Sequence, residues 1–147
     1  MTLRLPNFKW RRDAILAHDL HHLLVGYPCN LWGEMRMAAW EFGAGRMPHL
    51  GARLFCVPLV TIGLVRSPRS VLAAFLAGRR SQSLHEAADV EQLLDAPLSA
   101  ARAKLATCRN SSGGWRNYGR FALLVLESSV VLVLPLGVVG AAIAMLV

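Results

Sequence analysis

A chain of 147 residues holds one domain at most, and its last quarter is too apolar to belong to a soluble core. A formal charge of +7 could indicate nucleic acid, but 54% hydrophobic residues and a mean hydropathy of +0.40 point instead to a membrane surface of anionic lipid. Three widely spaced cysteines, Cys29, Cys56 and Cys108, form no CxxC pair, which argues against a disulfide framework or a thiolate metal site and for a reducing compartment.

The lead-in from Met1 to Trp10 is basic and contains Pro6. No apolar signal-peptide core comes after it. The first helix has Asp13 near its start and runs to about Val25, carrying His18-Asp19-Leu20-His21-His22. At i and i+4, His18 and His22 project from one face, with Asp19 at i+3 from His22. Gly26 and Pro28 stop this helix, and Asn30 is a good N-cap for a second one from Leu31 to about Gly43. In the resulting hairpin His22 and Glu34 stand at matching heights, each about 6 Å from the turn. The expected site is therefore a divalent metal held by His18, Asp19, His22 and Glu34. The bland alternative is a buried polar cluster. His21 points about a quarter-turn from His22 and is either a bystander or a support for a metal-bound imidazole, which needs a partner for its other nitrogen.

On the second helix Met35, Ala38, Ala39 and Phe42 form a core stripe, while Glu34 and Glu41 share another side. Glu41 is either a further carboxylate near the metal or a solvated surface residue. Gly43, Gly45 and Pro48 mark a loop. The apolar stretch from Leu50 to Val65 is too short to cross a bilayer and reads as a buried or interfacial helix kinked at Pro58. Ser67-Pro68 opens a further helix that ends at Gly78. These two apolar helices would line a prenyl-tail site, form the core, or both. Arg79 and Arg80 either complement the helix dipole or bind a lipid phosphate or substrate carboxylate. His85, in a polar loop, is given no role. Asp89 caps a short helix, and Asp95 with Pro97 opens another through about Ala106.

Residues 107–120 read as a flexible linker whose Trp115, Arg116, Tyr118 and Arg120 suit lipid headgroups. Such residues also grip single-stranded RNA, but the long apolar run immediately after them decides against nucleic acid. Residues 128–147 carry no charge and give about 30 Å of helix, with Glu127 left at the interface. The expectation is a C-terminal tail anchor over residues 121–147, with the N-terminal domain on the cytoplasmic side of a bacterial inner membrane. Gly137 with Ala141 and Gly140 with Ala144 would allow helix pairing. The fold class expected is all-α, with a helical domain over residues 1–106.

The spacing His-Asp-x-x-His, eleven residues, then Glu, with Gly26, Pro28, Asn30 and Gly33 inside it, resembles the signature of the coenzyme Q biosynthesis protein four family, the Coq-four family. Glu41, Pro48 and Gly78-Arg79-Arg80 resemble its later landmarks, and the likeness covers about residues 11 to 106. The resemblance implies an all-helical protein with a divalent metal, usually zinc, on the residues matching His18, Asp19, His22 and Glu34. It also implies a lyase of ubiquinone synthesis that removes the ring carboxylate of a polyprenyl hydroxybenzoate. The implied partners are the polyprenyl quinone precursor, membrane lipid and other ubiquinone biosynthetic proteins. Two features depart from the family: only seventeen residues precede His18, which makes a homodimer a candidate supplier of the missing wall, and the apolar C-terminal segment is not a family feature.

Two histidines with carboxylates suit zinc, iron(II) or manganese. With iron, the set is also the facial pattern of oxygen-activating enzymes and would suit an oxidative decarboxylation. Acid or base candidates are Asp19, His21 and Glu41, with Glu34 and Asp19 the carboxylates at the reacting centre. Five histidines are too few for a membrane desaturase. The rival from another class is a non-catalytic scaffold presenting a prenyl lipid, its metal merely structural.

Overall fold

The computed structural model describes residues 8–45, 47, 50–84, 95–106 and 114–144, and among them the chain is all-helical. The helices are α1 (Lys9–Val25), α2 (Leu31–Ala44), α3 (Leu50–Arg66), α4 (Pro68–Arg79), α5 (Leu98–Ala106) and α6 (Trp115–Ala144). The expected helix at Asp89, together with His85 and Cys108, lies outside the described residues.

The α1–α2 hairpin forms as its turn residues dictate. Gly26 adopts the left-handed conformation (φ 82°) and returns its N–H to the His22 carbonyl, ending α1. Asn30 then accepts the Gly33 N–H on its side-chain oxygen at 2.9 Å, starting α2. Gly33 is indispensable to this turn, since a Cβ there would lie 1.7 Å from the Pro28 carbonyl oxygen.

α2 is the central helix, buried on nearly every side. Met37, Ala38, Ala39, Trp40 and Ala44 join Val60 of α3 and Val71, Ala74 and Phe75 of α4 in one core. α2 and α4 meet backbone to backbone. A Cβ on Gly43 would lie 2.1 Å from the Phe75 carbonyl oxygen, and one on Gly78 would lie 2.0 Å from that of Trp40. The paired glycines therefore set the approach of the two helices.

α3 contains Pro58, which has no N–H for the Leu54 carbonyl and crowds the preceding turn. Beside it the wholly buried Ser128 of α6 stands between two groups that pair in a regular helix. Its hydroxyl accepts the Thr61 N–H at 3.0 Å and donates to the Val57 carbonyl. This is a side chain inserted into the helix ladder, one recognised cause of bending. A few residues away Arg53 clasps the Glu127 carboxylate with two N–H groups, Nε at 2.7 Å and Nη2 at 2.5 Å.

The C-terminal segment differs from expectation in two ways. Residues 115–120, expected in the linker, are the first turns of α6. One face of the first half of α6 also packs on the core, because Leu124 is buried in it and Phe121 lies on Phe75 at 5.2 Å between ring centroids. Hydropathy alone sets this segment outside the domain, and the packing brings one face of its first half back. By length and composition, Trp115–Pro135 suffices to cross a membrane, a stretch that begins earlier than residue 128.

Candidate metal centre

The hairpin brings His18, His22 and Glu34 together, and their ligand atoms lie within 4.8 Å of one another. His18 Nε2 stands 2.8 Å from Glu34 Oε2 and 3.1 Å from His22 Nε2, while His22 Nε2 is 3.2 Å from Glu34 Oε1. Metal–ligand distances of about 2.0–2.1 Å in a tetrahedral site correspond to ligand separations of about 3.3 Å. The three donors are thus spaced nearly as a single ion would require.

Surrounding acceptors fix which nitrogen of each ring is free. His22 Nδ1 donates to the Tyr27 carbonyl in the turn at 3.0 Å, leaving its Nε2 lone pair toward the cluster. His18 Nδ1 donates to Glu41 Oε2 at 3.1 Å, so that its Nε2 also faces inward. A hydrogen-bond acceptor behind each imidazole is the arrangement that orients metal-binding histidines and raises their basicity. The donor set fits a divalent cation.

Glu41 is neither solvated nor a ligand of this group. It is buried, accepting from His18 and also from His21 Nδ1 at 2.7 Å. The tautomer of His21 follows from its other side, where the Leu84 N–H donates to Nε2 at 3.0 Å. His21 is accordingly a buried brace that holds Glu41 behind His18. Cys56 reaches the cluster from α3, grouping with His18 and Glu41. Burial first, then the charges of Glu41 and Glu34, push its thiol up to about 12, so it stays neutral. Nothing in the spacing of Cys56 announces this position.

Two expected participants stand elsewhere. Asp19 is exposed and is not among the converging ligands; adjacent positions on a helix diverge by about 100°. Arg79, read either as complementing the helix dipole or as binding a headgroup or substrate carboxylate, donates from Nε to Asn117 Oδ1 at 3.2 Å and from Nη1 to the Gly43 carbonyl at 3.4 Å. It ties α4 to the end of α2 and to α6. Arg80 is exposed at the end of α4.

Burial pulls the His18 pKa down, but the hydrogen bonds and charges of Glu41 and Glu34 outweigh it and raise it to about 9. Burial likewise raises Glu41, and its bonds to His18 and His21 prevail, lowering it to about 2. In protein stripped by a chelator, His18 is therefore protonated at pH 7. A pKa raised on folding contributes stability that is complete below about 6.5 and lost as pH rises through about 9. Stripped protein should melt at lower temperature as pH climbs through that window. Zinc binding at pH 7 should release about one proton, because a metal takes the place of the His18 proton. Calorimetric titration in buffers of different ionisation enthalpy measures this, and buffer-independent heats would contradict it.

Compared with known proteins, the chain matches no family model, no curated protein and no solved structure.

Proposed function

We propose that the chain is a membrane-attached, divalent-metal lyase of ubiquinone synthesis that removes the carboxyl group of a polyprenyl hydroxybenzoate. The observation that carries the proposal is the convergence of His18, His22 and Glu34 with both rings oriented from behind. Among the described residues three donors converge, and three protein ligands with a fourth position for water or substrate is the pattern of a catalytic ion. The reaction class rests on the likeness to the Coq-four signature at those residues and at Gly26, Pro28, Asn30 and Gly33.

Zinc, iron(II) or manganese on this set would supply a Lewis acid that grips a ring oxygen and holds charge as carbon dioxide leaves. The chain's own residues do the positioning. Glu41 and the Tyr27 carbonyl hold the two imidazoles, and the His22 side chain is 3% exposed against 32% for Glu34. Access is therefore on the Glu34 side. α6 serves as the membrane anchor, with Arg116 and Arg120 at its exposed start suiting the cytoplasmic headgroups.

Glu34→Gln tests the reading, being nearly isosteric while weakening the ligand. Cells carrying it in place of the wild type should accumulate the carboxylated precursor and make little ubiquinone. Normal ubiquinone without precursor would transfer the reading to the scaffold, which needs lipid binding but no reaction at the metal.

A further inference from the structure

α3 carries an apolar stripe that no described residue covers. Leu50, Leu54, Phe55, Ile62 and Val65 are all exposed, Phe55 and Val65 by 75% and 87%. At 100° per residue these positions fall within one continuous face of the helix. α6, clamped to α3, carries a second such stripe in Leu123, Leu126, Val130, Val133 and Leu134.

We propose that the outward stripes of α3 and α6 form one lipid-facing surface, with α3 lying in the bilayer beside the spanning helix. This rests on the reading of α6 as a membrane helix and extends it to a helix too short to cross: its 17 residues reach about 25 Å.

Three observations favour lipid over a second protein. First, the polar groups of the seam are satisfied between the two helices. Arg53, the one charged residue between Leu50 and Val65, is turned to Glu127, and Ser128 serves both the Val57 carbonyl and the Thr61 N–H. Hydrocarbon demands internal satisfaction of this kind, whereas a protein interface normally carries a polar rim. Second, the stripe of α3 lies on a helix fastened to the apolar span and so continues its surface. Third, the stripes end in cationic and aromatic residues. Arg66 and Arg69 are exposed at and just past the end of α3, and Trp115, Arg116, Tyr118 and Arg120 are exposed at the start of α6. With a chain charge of +7, these complement anionic headgroups.

The arrangement sets the metal cluster one helix away from lipid, since Cys56 of α3 lies within the group that includes His18 and Glu41. A prenylated molecule dissolved in the bilayer would then approach the site along α3.

The test places photoreactive p-benzoylphenylalanine at Phe55, at Val130 of α6 and at the exposed Ala73 of α4, in the full chain in membranes. After irradiation, the Phe55 and Val130 proteins should gain the mass of a phospholipid, and the Ala73 protein should not. Lipid adducts at position 130 without any at 55 would overturn the α3 proposal while leaving the anchor intact. Cross-linked dimer through position 55 would overturn it in favour of a second copy. Lipid at neither position would overturn both this proposal and the membrane reading of α6.

Discussion

Alanine in place of His22 or Glu34 should leave the purified protein unable to retain a divalent metal, read as metal per chain by elemental analysis after passage through a chelating column. Each change removes one of the three donors that converge among the described residues, and the other two stay in place because Glu41 and the hairpin hold them. Glu41→Gln should be milder, weakening binding about 10- to 100-fold, as is usual when the partner behind a ligating histidine is altered. Asp19→Ala separates the geometry from the family resemblance. The exposed Asp19 is off the cluster, so its loss should leave metal content unchanged. Full metal in both the His22 and Glu34 variants would remove the metal centre altogether, and metal loss in the Asp19 variant would make that residue a ligand after all.

A second large effect is expected far from any ligand. Gly78→Ala or Gly43→Ala would drive a methyl group to 2.0 Å or 2.1 Å from a carbonyl oxygen of the facing helix, where the obstacle is backbone. α2 and α4 would have to separate by roughly 1 Å to restore ordinary contact, loosening Met37, Trp40, Val71 and Phe75 together. The cost should reach about 3 kcal/mol, the upper part of the usual range for overpacking. The measurement is the thermal midpoint in detergent, and a midpoint equal to wild type would show that the helices can part freely. Gly33→Ala should act differently, displacing Glu34 through the turn and lowering metal affinity although every ligand remains.

Much of the hairpin was legible because its signals are local. Gly26, Pro28 and Asn30 fix the turn through backbone conformation and capping, and the helical period puts His18 and His22 on one face. Ser67-Pro68 likewise marks the start of α4. The roles of Glu41 and Cys56 were not legible at the same level. A glutamate two turns from Glu34 reads alike in sequence whether it faces water or two histidines, and the distinction arises only where α1 crosses α2. Asp19 differs in the opposite way: its i+3 spacing from His22 suggested a ligand, but the 100° step from His18 leaves it exposed and off the cluster. Arg79 shows a similar limit: its charge was visible, but not that Asn117 and the Gly43 carbonyl would take up its guanidinium. The apolar run of α6 concealed its contact with the core, because apolar side chains inside a core and outside it look the same on a hydropathy scale.

The hydroxyl of Ser128 inside the ladder of α3 bears on the order in which the protein is assembled. A nascent chain that has released α1 to α5 but not α6 offers Val57 and Thr61 no Ser128, gives Arg53 no Glu127, and leaves the Leu124 place in the core open. Docking of α6 and closure of the domain then become one event in biogenesis. A chain whose α6 had not yet docked would thus stay open along α3, which makes α6 the closing piece of the fold.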